Sequence, residues 1–411
     1  MYFDLVIIGG GMVGLSVARN AIKRAGSRNY RVAIIEKEKQ TGIHSSGRNS
    51  GVLHAGIYYV PNTLKAKVCI EGKNRLTSWV KKNGLKYNQC GKFVVAQEKE
   101  LDPQLDVIAE RGKKNGAALE IISEKELAER LPEARTASNR AIWTPDTAVV
   151  DPKEVISTLS SEVIELGVSL VCNQISLRLD PELQRVKLVD GIELKYGHLI
   201  NCAGSHSLEV AQFFDIGQEY IAMPFKGLYW KIRQDSKVKF GTNLYPVPDL
   251  EVPFLGVHFT PNASKDGQLS IGPTATIALG RENYRGLDAI EPSIAINSVT
   301  QLVKQYITNS GNIRKYAHEQ ALLCFLPLML KEAQKLVPAL TLSDIEISEK
   351  VGIRAQLFNK ELSKLENDFI CITQGTSTHI LNSISPAFTA SFELGDLILD
   401  KANILASRHA K

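Results

Sequence analysis

Residues 4–14 read Asp4-Leu-Val-Ile-Ile-Gly-Gly-Gly-Met-Val-Gly14, and residues 31–36 read Arg31-Val-Ala-Ile-Ile-Glu36. The first stretch is a short apolar run that stops at three glycines and passes into Met12 to Lys23, where Ala and Leu recur at helix-compatible spacing. The second returns to a β-branched strand pattern, so the two enclose a βαβ unit. Within it Gly9-x-Gly11-x-x-Gly14 follows the strand and opens the helix, and Glu36 ends the next strand 36 − 14 = 22 residues after the last glycine. That is the dinucleotide fingerprint in its full context. Gly9 permits the tight turn, Gly11 lets the backbone approach a pyrophosphate, and Gly14 lets helix and strand pack. The helix N-terminus presents amides and a positive dipole, and Glu36 is placed to accept from a ribose hydroxyl, which argues against a 2′-phosphate.

A second nucleotide-domain signature lies far downstream. His198 to Asn201 reads as a strand entering Cys202-Ala203-Gly204, and Ser205 onward as a helix, so the domain is discontinuous. Asp151-Pro152-Lys153-Glu154 combines a capping Asp, a Pro at the first helical position and an early Glu, which marks a helix over Val155 to Gly167. From Tyr220 to Ile277 apolar and polar residues alternate between Pro, Asn and Gly clusters, as in Phe254 to Thr260; an antiparallel sheet is the natural reading. Ser293 to Ile307 and Ser343 to Glu349 read as helical or mixed. Asp368 to Thr373 reads as a final buried strand before a helix from about Pro386 to Leu399. No repeat or low-complexity segment interrupts this pattern. The division expected is a nucleotide domain of residues 1–85, 147–215 and 345–411 and a substrate domain of residues 86–146 and 216–344, with the ligand crevice between them.

Composition narrows the class. The chain has 411 residues, 44% hydrophobic and 23% charged, close to the average for globular proteins. The net charge of +5 is spread thinly, with no block of like charge to mark a nucleic-acid arm. The longest apolar stretch, Ala321 to Leu330, is far short of the roughly 20 residues that cross a bilayer and contains Pro327. A strand-like run begins at Phe3 with no basic and apolar leader before it, so the expectation is a cytoplasmic protein. The six cysteines, Cys69, Cys90, Cys172, Cys202, Cys324 and Cys371, form no C-x-x-C pair and read as buried thiols rather than a disulfide or zinc framework.

The segment His44-Ser-Ser-Gly-Arg-Asn-Ser-Gly-Val-Leu-His-Ala-Gly-Ile-Tyr-Tyr59, followed by Leu64-Lys-Ala-Lys67 and Cys69, resembles the L-2-hydroxyglutarate dehydrogenase/oxidase family nearly residue for residue. Gln89 to Lys92, Val149 to Asp151, Asn201 to Gly204, Pro224 to Gly227, Tyr245 to Asp249, Pro253 to Pro261 and Gly352 to Gln356 match family segments in order. Three places depart: Asn382-Ser-Ile-Ser-Pro-Ala-Phe-Thr-Ala-Ser391, Met223-Pro-Phe-Lys226, and Ser205-His-Ser207. The resemblance, together with a fingerprint so near the start of the chain, implies an α/β fold: a discontinuous Rossmann-like FAD-binding domain with an inserted mixed or antiparallel-sheet substrate domain, as in the D-amino-acid oxidase superfamily. The implied reaction is oxidation of L-2-hydroxyglutarate to 2-oxoglutarate by hydride transfer to flavin N5, with electrons passed to a quinone or dioxygen.

Such a reaction needs a base for the hydroxyl proton and a cation for the carboxylate. His54 is the first choice of base and His258 its rival; either could instead be a histidine fixing a loop or sheet. Arg354, in a segment like that of related glycine oxidases, is the candidate clamp, with a structural ion pair as the alternative. Tyr59, Lys226 and Tyr245 are unranked candidates for a second anchor. Ser45, Ser46, Arg48, Asn49 and Ser50 form a polar loop suited to the flavin pyrophosphate and ring edge, and the family match adds Gly204, Asn382 and Ser385 to the cofactor set. The FAD is expected to be non-covalent and the site to hold no metal. The partner is a small 2-hydroxy dicarboxylate, with a quinone or a peripheral contact on the inner face of a membrane as further partners and no nucleic acid. The competing readings are an FAD-dependent amine or amino-acid oxidase of the glycine oxidase type, and a non-catalytic flavin-binding protein.

Overall fold

A computed structural model describes residues 1–248, 255–264, 266, 268–309, 314, 323 and 325–405. Asp249, Pro253, Phe254 and Cys324 lie outside the described residues, as do residues 321 and 322 of the longest apolar stretch. The fingerprint folds as read: strand β1 (Tyr2–Ile8), helix α1 (Met12–Ala25) and strand β2 (Val32–Ile35). β1 pairs in parallel with β2 on one side and with Glu193–Asn201 on the other. Ser377–Leu381 adds a further parallel strand, and Ser169–Val171 lies outside β2. Strands buried on both faces read as continuous apolar runs, which is why Leu5 to Ile8 and Val32 to Ile35 show no alternation.

The second sheet has nine strands, drawn from Lys92–Val95, Glu120–Ser123, Arg140–Thr144, the run between Phe225 and Ile277, and Ile345–Arg354. Its pairs are antiparallel except where Asn243–Pro246 lies parallel to Lys92–Val95, so the sheet is mixed as expected. In Phe225–Ile232 the side chains largely alternate between buried and half-buried, the burial counterpart of the period-two pattern.

Two local expectations are corrected. Ser343 to Glu349, read as helical or mixed, is a single turn at Leu342–Asp344 followed by the ten-residue strand Ile345–Arg354, which pairs with Phe225–Ile232. A register shift opposite Leu228 and Trp230 breaks the alternation that would have revealed it. Ile370–Gln374 is not the final buried strand: it is a partly exposed hairpin arm, and its mate Ser377–Leu381 is the buried one. Thr378 and His379 gave that mate a polar look. Inside, His198 Nε2 lies 2.9 Å from Thr378 Oγ1, and His379 contacts Asn201 at 3.1 Å and Ser377 at 3.0 Å, so a buried strand keeps its polar side chains satisfied.

The helix after residue 151 starts as its cap dictates. Asp151 accepts from the amides of Lys153 and Glu154, and the helix runs from Pro152 to Glu165. The C-terminal helix, Ala387–Lys401, lies against α1 and Leu64–Lys82 through small residues: a Cβ on Gly72 would sit 2.6 Å from Ala390 Cα, and one on Gly395 3.1 Å from the Ser16 carbonyl carbon. Asp396 ties it to both neighbours through Arg24 (2.8 Å) and Arg75 (2.6 Å). Among the described residues, no helix is long and apolar enough to cross a membrane.

Candidate active site

One cavity of about 590 Å³ is walled at one end by Gly9, Gly11, Glu36 and Gly204 and at the other by His54, Tyr245, His258 and Arg354. Ser45, Ser46, Arg48, Asn49, Ser50 and Ser385 line it between these ends. The structure therefore gathers most of the sequence-derived candidates into one space. Gly14, Tyr59, Lys226 and Asn382 are not on its wall.

At the first end the three glycines differ in what surrounds them. Gly9 has φ +105°, and a Cβ there would sit 2.4 Å from the Cys202 carbonyl oxygen; one on Gly14 would sit 2.0 Å from the Gly9 carbonyl oxygen. These two are demanded by backbone packing. On Gly11 a Cβ would meet only Ser46 Oγ, at 3.0 Å, so its missing side chain leaves the cavity open. No side chain caps α1 and no acidic residue occupies its first turn, although Ser46 Oγ accepts from the Met12 amide at 3.0 Å. Glu36 is buried and accepts from the amides of Gly10 (2.7 Å) and Glu38 (2.9 Å), which fixes its carboxylate at the end of β2.

The loop after β2 is held by its own side chains. Asn49 donates to the carbonyls of Ser45 and Ser46 and accepts from the Gly51 amide. Arg48 donates to the Ile43 carbonyl at 2.9 Å and lies 4.1 Å over the Tyr284 ring. Ser45 Oγ donates to the Ile353 carbonyl at 2.9 Å, which seats the loop on the strand that ends in Arg354. Beside it Lys37 contacts both Glu38 and Glu282, while His44 reaches Tyr284 (2.8 Å) and Glu38 (2.9 Å) and His206 reaches Glu282 (3.0 Å). Burial opposes the charge on Glu282, yet His206 and Lys37 hold its carboxyl down to about 2. The ligand atoms of Glu38, His44 and Glu282 lie close enough to share a cation, and the Lys37 ammonium already bridges the two carboxylates.

At the second end two histidines face an arginine. His258 Nδ1 lies 2.8 Å from the Gly256 carbonyl; a carbonyl only accepts, so Nδ1 carries the proton and the neutral ring presents a bare Nε2. Its ring stacks on Tyr245 at 4.0 Å between centroids. Burial pulls the imidazole down to about 4, with Lys92 and Arg354 adding to the effect and the Gly256 carbonyl opposing it. His54 lies 3.3 Å from Ser385 Oγ through Nε2, while its Nδ1 is buried without a partner. Burial first, then Lys92, His258 and Arg354, bring it to about 3. Both rings are therefore neutral near pH 7.

The other candidates sit elsewhere. Lys226 Nζ donates to Asn283 Oδ1 at 2.9 Å. Tyr59 packs beside Ser385 and Arg354 with its phenol raised well up by burial. Asn382 accepts from the Leu357 amide and donates to the carbonyls of Glu366 and Asp368, so it binds chain to chain. Sequence reading missed Lys37, Glu282 and Tyr284 around the loop after β2, and Lys92 with Tyr58, which adjoin His54 and Tyr245 without lining the cavity. The signal for Lys92 was present: one lysine heading the apolar strand Phe93-Val-Val95, inside a segment already matched to the family. Of the cysteines, Cys69 and Cys202 are buried thiols, and Cys90, Cys172 and Cys371 are half-buried.

An uncapped helix N-terminus, an open Gly11, a fixed Glu36 and a Gly204 whose Cβ direction meets nothing within 4 Å fit the phosphates and ribose of a dinucleotide. A family model described as "FAD dependent oxidoreductase" (DAO) matches residues 4–400. The mitochondrial L-2-hydroxyglutarate dehydrogenase of Homo sapiens is 34% identical over 426 residues, covering 97% of this chain and 88% of that protein. The L-2-hydroxyglutarate dehydrogenase of Escherichia coli O17:K52:H18 is 30% identical over 410 residues, covering 98% and 94%. Among solved structures, an L-alpha-glycerophosphate oxidase from Mycoplasma pneumoniae with FAD bound is similar with a TM-score of 0.75 at 19% identity, covering 98% of this chain and 95% of that one. A glycine oxidase from Bacillus cereus has a TM-score of 0.69 at 17% identity, covering 99% of both chains. At those identities the two structures speak for the fold alone.

Proposed function

The chain belongs to the FAD dependent oxidoreductase (DAO) family and, within it, to the family of the L-2-hydroxyglutarate dehydrogenases; from this premise we propose that it oxidises L-2-hydroxyglutarate to 2-oxoglutarate. FAD, when bound, supplies a two-electron acceptor that takes hydride from the substrate α-carbon. Gly9, Gly11, Glu36, Ser46 and the amides of α1 would hold its dinucleotide part, without a covalent bond. His44, one of the two histidines near enough to be considered for such a bond, already has both ring nitrogens engaged.

The observation that carries the reading is a guanidinium and two neutral imidazoles on one cavity wall. Arg354 binds the α-carboxylate through its parallel N–H donors and sets the α-carbon. As hydride leaves that carbon, the hydroxyl proton passes to a histidine and the C–O bond becomes a carbonyl. His258 Nε2 is the better supported base, because its tautomer is set by the Gly256 carbonyl; His54, first choice from sequence, then orients the substrate beside Ser385. Product analysis tests the substrate class: turnover of L-2-hydroxyglutarate should yield 2-oxoglutarate without ammonia. Ammonia from glycine or another amino acid at comparable rate would move the chain to the amine-oxidase reading.

The electron acceptor belongs to the same proposal. The helix Pro292–Thr308 buries Ser298 and Gln305 and exposes Ile296, Val299, Val303 and Ile307, the last to 66%; Leu287 nearby is 79% exposed. An apolar stripe flanked by the exposed Arg285 and Lys304 is the pattern of a helix lying in a membrane surface. We assign it a peripheral contact through which a membrane quinone, rather than dioxygen, receives the electrons. A cytoplasmic placement, facing the inner side of a membrane, stays part of this proposal, although the relatives named mitochondrial fit it poorly.

A further inference from the structure

Lys92 begins the strand Lys92–Val95 and is wholly buried, and its Nζ has no hydrogen-bond partner among the described residues. It faces two aromatic rings, Tyr58 at 4.5 Å and Tyr245 at 5.2 Å. Tyr58 Oη and His54 Nδ1 are also buried without partners. Each such group is costly to leave unpaired, and a buried ammonium most of all. Lys92 and Tyr58 are not themselves on the cavity wall but adjoin its lining residues His54 and Tyr245, and the described residues supply none of the three polar atoms with a hydrogen-bonding partner.

The charges around the spot state what that partner is. Lys92 and Arg354 both act on His54 and on His258, and Arg354 also acts on Lys65. Besides burial, only the Cys69 thiol acts on Lys92, and burial raises that thiol to about 12, so it carries no charge. The carboxylate acting on Lys65 is Asp368, whose oxygens accept from the amides of Leu64, Lys65 and Phe369. Among the described residues, then, no carboxylate balances Lys92.

Resting on the reading that this site oxidises a 2-hydroxy acid at Arg354, we propose that Lys92 and Tyr58 form the subsite for the substrate's second carboxylate, and that Lys92 makes the site select a dicarboxylate. Arg354 answers the carboxylate next to the reacting carbon, and Lys92, set behind the Tyr245 ring, supplies the counter-charge for the distal one. Burial holds the lysine at about 7, so near neutral pH an arriving dianion draws a proton onto Nζ. Among the described residues, the titratable groups that act on it or feel its charge are His54, Tyr58, Cys69, Tyr245 and His258. Lys65, also brought to about 7 by burial, and Lys350, brought to about 8, are further groups that titrate near this range.

The test is calorimetric titration of the FAD-loaded protein with glutarate, a dicarboxylate without the reacting hydroxyl, and with butyrate, in two buffers of different ionisation enthalpy. The wild type should prefer glutarate by about tenfold or more and take up protons as it binds. In Lys92→Met, glutarate should weaken by about tenfold, butyrate by less than about threefold, and the proton uptake should fall. Tyr58→Phe, which keeps the lysine and the ring, should weaken glutarate alone by a few-fold. Equal losses for both ligands, or glutarate binding unchanged in Lys92→Met, would overturn the proposal. If Lys92→Met does not fold, the wild-type preference and Tyr58→Phe decide: no preference for glutarate, or equal effects on both ligands, overturns it. A wild type that binds glutarate through Lys92 but is not reduced by L-2-hydroxyglutarate keeps the subsite and loses the reaction; one that is reduced but binds both ligands alike keeps the reaction and loses the subsite.

Discussion

The two ends of the cavity are built by opposite means. At the nucleotide end the contacts are backbone: amides at the start of α1, a carbonyl turn at Gly9, and a glutamate fixed by two amides. Their residues fall within one βαβ unit. At the oxidising end they are side chains from distant strands, with His54 after the first nucleotide unit, Tyr245 and His258 on neighbouring strands of the second sheet, and Arg354 at the end of a strand nearly 100 residues later. Among the described residues, the buried side-chain polar atoms at the first end have partners within the chain, and several at the second do not. The first offers shape, a helix dipole and a fixed carboxylate. The second binds by charge held in a low-dielectric wall, so its protonation states are part of its function.

The largest effects should separate the glycines of the single motif. In Gly14→Ala the new Cβ overlaps a backbone carbonyl, an overpacking that costs about 3 kcal/mol or more, so little folded protein is expected. Gly11→Ala displaces only a serine hydroxyl and should fold with a near-normal melting temperature but purify largely without flavin. Full yellow colour in Gly11→Ala would mean that the dinucleotide does not pass where the motif places it. Next in size, His258→Asn should lower kcat by about 10²- to 10⁴-fold as expected for loss of a general base, with His54→Asn milder; the reverse order would return the role of base to His54. Arg354→Lys keeps the charge but not the fork and should lose about tenfold in kcat/KM, about 1.4 kcal/mol. Unchanged kinetics would remove Arg354 from the site.

A pH profile sharpens the contrast further. The base works only when unprotonated, and the His258 imidazole is drawn down to about 4. The acid limb of kcat/KM should therefore lie below about pH 5 rather than near the ordinary imidazole value of about 6.5. An acid limb near pH 6.5 would show that the histidines are not held neutral by burial. The smallest effect on chemistry should come from the exposed helix. Ile296→Ser combined with Val303→Ser should leave reduction by substrate unchanged while lowering co-flotation with anionic vesicles several-fold; undiminished flotation would remove the membrane contact.

Much of the nucleotide end was legible in sequence because its determinants are local. Strand, glycines, helix and Glu36 appear in chain order, and each residue type is there for a backbone reason. The oxidising end was legible only through the family resemblance, since nothing in a linear reading places His258 against Tyr245 or Arg354 beside His54. Where local patterns misled, tertiary partners were the cause. Ile345–Arg354 hid its alternation at a register shift, and Ser377–Leu381 looked polar because His379 is satisfied from the neighbouring strand. Asn382 opens a segment that departs in part from the family's, and its side chain braces three backbone groups away from the cavity wall. Lys92 ends a family-like segment that says nothing of its role, because burial without a partner is a property of the fold.

We propose that a flavin site with an arginine clamp and neutral histidines takes electrons from a 2-hydroxy dicarboxylate. An anaerobic absorbance titration of the FAD-loaded protein with L-2-hydroxyglutarate tests it most directly, with the D-enantiomer, L-lactate and glycine as controls. Stoichiometric bleaching of the flavin by the L-enantiomer, far ahead of the three controls, is the predicted result. Bleaching by glycine in preference, or no bleaching by any of the four, would contradict it.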